Sequence, residues 1–326
     1  MTTTLSLLSK SSSSKSSSSK SSSSKSSSPK HELISKPEGH QVGGQPSRAW
    51  QKFLQNRLAI VGLLMVLVIS GVAVMAPFLA RYDPVAQFPK ERLAPPTVQH
   101  ILGQDEFGRD LLARILFGTR VSLMVGILSV LGGGLLGTTM GVLAGYYRGA
   151  VESIMMRVVD ALLAFPALIT GLIVLAVLGS GLDKLIIAIA IVVSPRFARL
   201  AHGPTLALRE KEYIQAAQAI GSRPSRIIMR HVLPNIAGEL FAFGTLWIAT
   251  AIRIEANLSF IGLGVSPPTP TWGQMIRDGV THLTVAPWFS LFPGVAILLT
   301  ALAFNLLGDG LRDALDPKLK MKGDIG

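Results

Sequence analysis

Long apolar stretches without a charged residue are the feature that most constrains what this chain can fold into. One covers residues 58–80 and another covers residues 121–147, and an arginine flanks each stretch at both ends. A helix of about 20 apolar residues crosses a bilayer. The sequence therefore predicts a membrane protein, and its low charged fraction of 15% agrees with that interpretation.

Four further apolar segments complete the predicted set of spans. The third runs uninterrupted, while the fourth is short and can be extended past Arg196 toward Leu206, and the fifth can be extended toward Leu263. The prediction is an all-α integral membrane protein with about six transmembrane helices. The last four spans are predicted at residues 161–182, 185–194, 240–252 and 283–307.

The distribution of Lys and Arg predicts the orientation of these spans. With the N-terminus in the cytoplasm, the inside segments hold 22 Lys and Arg and the outside segments hold 8. Cytoplasmic loops carry an excess of basic residues. A multi-pass protein with both termini in the cytoplasm is therefore expected.

The N-terminal region differs in composition from the rest of the chain. Seventeen of the first thirty residues are serine, and lysine recurs every five residues from Lys10 to Lys25. Such a segment cannot bury enough apolar surface to offset its ordering entropy. We expect a disordered cytoplasmic tail at residues 1–47, a juxtamembrane segment at 48–57 and a membrane domain at 58–326. The tail is either a solvated spacer or a contact for anionic lipid headgroups.

Several classes of enzyme and binding protein are disfavoured by missing residues or motifs. The chain has no cysteine, and it has no GxxxxGK[ST], HExxH or GxSxG sequence. Its six histidines are scattered, which disfavours a metal site. The net charge of +12 comes from the tail and from residues flanking spans, so it does not indicate nucleic-acid binding. No catalytic, cofactor or metal-binding residue is predicted.

The second span carries glycines at every fourth position, which form one smooth ridge on a helix. This ridge either packs within the bundle or acts as a sliding surface for helices that rock during transport. Its members are Gly133, Gly137, Gly141 and Gly145.

Within the longest cytoplasmic loop, about residues 196–239, the segment at about 209–235 predicts a helix, a glycine turn and a second helix. Glu212 and the alanines after it favour the first helix. Gly221 suits the left-handed residue that closes it. Pro224 suits the first turn of a second short helix, expected to stop before Pro234. The loop either seats in a groove on a partner or lies on the membrane surface.

Several blocks in order along the chain resemble one protein family. The loop resembles the EAA loop of ABC importer permeases, and the other blocks resemble the dipeptide/oligopeptide/nickel family, in particular the second of its two permease subunits. The resemblance covers about residues 50–326 but not the tail. The blocks besides the loop are residues 100–105, 108–110, 120–123, 258–264, 272–273, 305–313 and 316–317.

The resemblance implies the architecture of a type I ABC importer permease in the bacterial cytoplasmic (inner) membrane. It implies as partners a homologous second permease subunit, two ABC ATPase subunits, an extracytoplasmic substrate-binding protein and membrane lipid. ATP and Mg would be used by the partner ATPases, so this chain is not expected to be an enzyme by itself.

By the same resemblance, the loop is the coupling element that docks in a cleft of an ATPase subunit. Tyr213 and Ile214 would supply apolar contact. The full set of coupling residues implied in this way is Glu212, Tyr213, Ile214, Ala216, Ala217, Gly221 and Pro234.

Charged residues near the membrane leave two questions open. Glu255 lies in the fifth span, where a charge is a functional candidate. It either faces a pathway and meets the amino group of a peptide, or it pairs with Arg253. Similarly, Arg109 and Asp110 belong either to a surface for the binding protein or to structural caps and ion pairs.

Peptides are the cargo that the resemblance implies. The alternatives are the same machinery importing nickel or another small solute, or a secondary transporter. A secondary transporter needs intramembrane charge relays and usually an internal repeat. The spans hold few ionisable residues, and no clear repeat is present.

Overall fold

The structure, a computed structural model, describes residues 46–315, and every regular element in that part of the chain is helical. Residues 1–45 of the predicted tail and the last eleven residues of the chain lie outside the described residues. In chain order the helices are α1 Pro46–Gln55, α2 Arg57–Leu79, α3 Leu111–Tyr147, α4 Gly149–Ala164, α5 Ala167–Leu178, α6 Leu182–Arg209, α7 Glu212–Ala219, α8 Pro224–Ile227, α9 Leu233–Ile261, α10 Trp272–Val280 and α11 Trp288–Leu315, with a 3-10 turn at Pro89–Glu91 and a π turn at Ile228–Val232.

Five of the described helical segments are long and apolar enough to cross a membrane, and a sixth span results if a bent pair is counted as one. The five are α2, α3, α6, α8 with α9, and α11. This confirms the all-α prediction of about six spans.

The third predicted span is wrong as a single helix. The chain breaks between α4 and α5, and the two helices are bent by 101°. The cause is Pro166, since a proline pushes the preceding residue out of the helical region. Phe165 accordingly has extended backbone angles, φ −92° and ψ 142°.

The second predicted span begins ten residues later than the helix that contains it. The sequence prediction started after Arg120, whereas α3 starts at Leu111, where the Asp110 carboxylate accepts a hydrogen bond from the Ala113 amide at 2.7 Å. Arg114 does not interrupt the helix because its guanidinium is buried beside Asp105, with 3.4 Å between Nε and Oδ2.

The fourth span is long, as its extended version predicts, because α6 continues past Pro195 and Arg196 to Arg209. The fifth ends near its extended limit but begins earlier than predicted, at Pro224 and not at residue 240, since α8 through α9 forms one span of 38 residues. Gly262, in the left-handed region at φ +96°, ends that span.

The core lies where α3, α6 and α9 meet. α3 packs most extensively against α6. Their shared cluster contains Val125 of α3, Ile189 and Val193 of α6 and Leu258 of α9, all fully buried. Lipid is as apolar as these side chains, so close van der Waals packing, and not removal from water, holds these helices in their relative positions.

The connection between α2 and α3, residues 80–110, is held by buried ion pairs. Asp105 has no exposed surface, and its carboxylate pairs with Arg109, 2.5 Å from Nε, and with Arg114. Asp110 caps α3 and lies 2.8 Å from Nδ1 of His100. The structure therefore supports the interpretation in which Arg109 forms an ion pair and Asp110 caps a helix. We call this region the α2–α3 segment.

Candidate functional site

The glycine ridge of α3 lies directly against α6. A Cβ added at Gly133 would lie 2.5 Å from the carbonyl oxygen of Ala190, and one at Gly145 would lie 2.9 Å from that of His202. Gly137 and Gly141 meet backbone carbonyls of α6 in the same way. Each advance of four residues along α3 is matched by an advance of four residues along α6. The two helices therefore run parallel and in close contact.

The region between α6 and α9, residues 210–232, lies at the end of α6 and forms the candidate functional site. We call it the α6–α9 loop. Its first helix, α7, begins at Glu212, whose negative charge suits the first turn of a helix. It ends at Ala219 and is followed by a turn at Gly221, which has φ +79°. The amides of Gly221 and Ser222 donate to the carbonyls of Gln218 and Ala217 and so close the helix.

The second helix of the loop does not stop before Pro234, contrary to the prediction. α8 begins at Pro224 and continues through the π turn into α9, with Pro234 in the first turn of α9. A π turn shifts the hydrogen-bond register, so the proline ring and its missing N–H are accommodated without a break. The side-chain amide of Asn235 donates to the carbonyl of His231 at 2.5 Å.

One buried side chain anchors α7 to the membrane domain. Ile214 has no exposed surface and packs in a cluster with Tyr146 of α3 and Ile227 of α8. Ile214 therefore cannot supply apolar contact to a partner, and that part of the prediction is wrong. The reason is that α7 lies with this face on the bundle, which a loop sequence by itself does not specify.

Polar contacts at the base of the loop are weaker. Arg148, at the end of α3, pairs with Glu210 at 2.5 Å, but both side chains are substantially exposed. The side-chain amide of Gln218 donates to the Tyr146 hydroxyl at 3.4 Å. Exposed ion pairs contribute about 0–1 kcal/mol, so the position of α7 depends mainly on Ile214.

The opposite side of the loop faces outward and combines small residues with a carboxylate and a tyrosine. Glu212, Tyr213, Ala216 and Gly221 are exposed, and Ala217 is half-buried. Two large apolar side chains that sequence reasoning missed also face outward in this loop: Ile220 is 83% exposed and Met229 is 66% exposed. No signal in the sequence separates these outward side chains from the buried Ile214.

Glu255 lies in the interior of the chain and not on an outward face. It has no exposed surface, and its carboxylate accepts hydrogen bonds from the hydroxyls of Ser122 on α3, at 3.2 Å, and Ser259, at 2.8 Å. It does not pair with Arg253, which is exposed on the other side of α9 because residues two apart lie on opposite sides of a helix. That Glu255 faces a pathway stays a prediction.

Comparisons with known proteins agree with this architecture. The family described as binding-protein-dependent transport system inner membrane component matches residues 137–321, and the N-terminal TM domain of oligopeptide transport permease C matches residues 45–96. The chain is 46% identical to the glutathione transport system permease protein GsiD of Pectobacterium atrosepticum, over 83% of this chain and 90% of that protein. It is 43% identical to the dipeptide transport system permease protein DppC of Alkalihalophilus pseudofirmus, over 87% and 94%.

A solved structure extends the likeness to the fold. A chain of the inward-facing MetNI methionine ABC transporter matches with a TM-score of 0.51 at 19% identity, over 63% of this chain and 98% of that one. With the described helices and the family match over residues 137–321, these findings show that the chain belongs to the binding-protein-dependent transport system inner membrane components, as a multi-pass permease with the type I ABC importer fold.

Proposed function

We propose that this chain is one of two permease subunits of an ATP-driven importer of di- or oligopeptides, and that a partner ATPase docks on the α6–α9 loop. The geometry of that loop carries the proposal. α7 is held by one buried side chain, Ile214, while its small residues and Ile220 face outward. In this arrangement one side of α7 packs on the protein's own core, and the other side stays exposed for a partner.

The outward side of the loop has the chemistry of a helix that seats in a groove. Ala216 and Ala219 allow the backbone of α7 to approach a partner closely, and Ile220 supplies a large apolar contact. Gly221 keeps the turn compact beside that contact. An apolar side chain 83% exposed to water gains most when a partner covers it.

Peptide cargo is supported by the names of the relatives. One is a glutathione permease and the other a dipeptide permease, and both are covered almost end to end. Nickel or another small solute carried by the same machinery is the alternative, and the experiment below separates the two.

The remaining partners follow from the family. The working importer contains this chain, a homologous permease, two ATPases that use ATP and Mg, and an extracytoplasmic binding protein that delivers the solute. Both termini of this chain lie in the cytoplasm, as the excess of Lys and Arg in the inside segments indicates. ATP binding draws the two ATPases together and moves the docked loops, which opens the pathway outward, and hydrolysis resets it.

Uptake in cells that lack this chain, and in the same cells complemented with it, tests the proposal. Labelled dipeptide, pentapeptide and Ni²⁺ are offered side by side. A matched strain carries the chain together with partner ATPases whose phosphate-binding lysine is replaced. We expect uptake of one peptide class to be lost, restored by the chain and abolished by the ATPase substitution.

Rescue of Ni²⁺ alone would move the cargo to a metal while keeping the ATP-driven mechanism. Peptide uptake that survives the ATPase substitution would contradict the coupling and favour a secondary transporter. No rescue of any solute would contradict the importer.

A further inference from the structure

α9 carries an outward face that is polar in the middle of its apolar length. Thr250, Arg253 and Asn257 follow one another at helical spacing and share one side of the helix. Arg253 and Asn257 are exposed and Thr250 is half-buried. We call these three residues the α9 stripe. The helix packs through its other sides against α3, α5, α6, α10 and α11, so nothing among residues 46–315 covers the stripe.

The outward faces of α2 and α11 are apolar by contrast. On α2 the exposed large side chains include Leu64, Leu67 and Val68, at 55%, 58% and 65% exposure. On α11 they include Leu291 and Leu298. These faces suit lipid hydrocarbon, whereas a face with an arginine does not.

Arg253 does not reach toward the nearer end of its helix. It lies eight residues before Ile261, which places its Cα about 12 Å from that end. Its Nη2 donates to the hydroxyl of Thr250 at 3.1 Å, so the guanidinium points toward the middle of the span. Arg253 therefore does not snorkel, that is, its side chain does not extend toward the nearer membrane surface.

Arg253 also lacks a counter-charge within the described part of this chain. Among residues 46–315 no carboxylate lies within ion-pair distance of it. Glu255, the nearest acid in sequence, is buried on the other side of α9 and is bonded to two serine hydroxyls. An arginine facing lipid at this depth costs about 2.5–3.5 kcal/mol. The stripe must therefore face water, a solute or a partner.

We propose that the α9 stripe lines the solute pathway and that Arg253 binds a carboxylate of the passing solute, selecting anionic and zwitterionic cargo. The proposal rests on the proposed importer function. A guanidinium offers paired donors that match a carboxylate. Thr250 occupies one donor and fixes the side chain, and the Asn257 amide one turn away supplies a further donor.

Labelling of single cysteines tests whether the stripe is wet. The chain has no cysteine of its own, so Asn257→Cys is the only thiol of this subunit in the assembled transporter. Leu67→Cys, at an exposed position of α2, is the matched control. In lipid nanodiscs we expect a charged, water-soluble thiol reagent to modify Asn257→Cys at least about tenfold faster than Leu67→Cys, because thiolates form and react in water. Equal rates would overturn the pathway location.

Charge selection is tested with a peptide and its C-terminal amide, delivered by the saturated binding protein to reconstituted transporter. We expect Arg253→Gln to lower uptake of the free-acid peptide by about tenfold or more, since a hydrogen bond to a charged group is worth about one to two decades. Uptake of the amide should change little, and Arg253→Lys should recover most of the free-acid uptake. Arg120→Gln, at an exposed arginine of α3, is the control and should affect both peptides equally.

Two results would overturn the assignment. Equal loss for both peptides, with less of the second permease recovered in the complex, would assign Arg253 to a carboxylate of the partner permease. Unchanged uptake in Arg253→Gln would show that the arginine binds no solute. Failure of the importer proposal is distinct, because the wild-type transporter would then take up neither peptide.

Discussion

The α2–α3 segment and the α6–α9 loop are irregular regions at opposite ends of α3, and they are stabilised in different ways. In the first, a carboxylate without exposed surface, Asp105, holds two arginines and two backbone amides. In the second, Ile214 is the main buried anchor, and the ion pair beside it is exposed. The first region is fixed to its own bundle, whereas the second is attached at one point and leaves a surface free.

This difference separates a structural region from a docking region. Buried ions that are paired with one another are not available to bind a partner protein, because breaking such a pair leaves a buried charge without its counter-charge. A short helix on a single apolar anchor keeps its shape and presents its other side. Three substitutions break or sharpen the contrast, starting with the largest expected effect.

Asp105→Asn should destabilise the chain most. It leaves Arg109 and Arg114 buried without a counter-charge, which costs about 3–5 kcal/mol when one partner of a buried pair is removed. The measurement is the melting temperature of the purified protein in detergent. Glu106→Gln, at a neighbouring and partly exposed acid, is the control and should melt close to wild type. If the two variants melt alike, the buried network does not hold this region.

Ile214→Ala should detach the α6–α9 loop while the bundle stays folded. The expected cost is about 2 kcal/mol, the low end for such a truncation, because the loop can relax into the space left. Trypsin should then cleave after Lys211 or Arg226, both exposed, faster than in the wild type.

The matched variant for that measurement is Ile220→Ser. This isoleucine is 83% exposed, so trypsin should cleave the variant at the wild-type rate while capture of the partner ATPase falls. Were Ile220→Ser cleaved faster and Ile214→Ala unchanged, the assignment of anchor and docking surface would be reversed.

Gly221→Leu should have a smaller but more specific effect. In the described part of the chain, no atom beyond the adjacent residues lies within 4 Å of a Cβ at this position. The cost therefore comes from the left-handed backbone, about 1–2 kcal/mol for a residue other than glycine. Gly221→Asn, which tolerates that conformation, should retain most ATPase binding, and the leucine variant should lose about tenfold. A leucine variant that binds and transports like the wild type would contradict the coupling role.

Local chemistry made much of the fold predictable from the sequence. The uncharged run at 58–80 gives α2 within one residue at each end, and Gly221 takes the left-handed turn that the loop pattern predicts. The sequence also contains the signal for the break at Pro166, because a proline disfavours helical angles at the preceding residue, Phe165. A prediction made by counting apolar residues does not take that restriction into account.

The orientation of individual side chains was not predictable in this way. Ile214 and Ile220 are both apolar residues of one short segment, yet one is fully buried and the other is 83% exposed. Arg253 and Glu255 likewise lie two residues apart, yet the arginine is exposed and the glutamate is fully buried. Which side of a helix meets the bundle depends on contacts with distant segments such as Tyr146 and Ser122, and a single sequence does not specify those contacts.

Because α8, the π turn and α9 are continuous, a movement of the α6–α9 loop can be transmitted along one helical segment to Arg253. The segment of 38 residues from Pro224 to Ile261 is about 57 Å long. Arg253 lies about 43 Å from its lower end, so a tilt of about 5° about that end would swing the guanidinium sideways by about 4 Å. That displacement exceeds the length of a hydrogen bond. The π turn, where a helix bends most easily, lies close to Pro224. A small movement at the Pro224 end would therefore be enough to separate Arg253 from the solute carboxylate that we propose it binds.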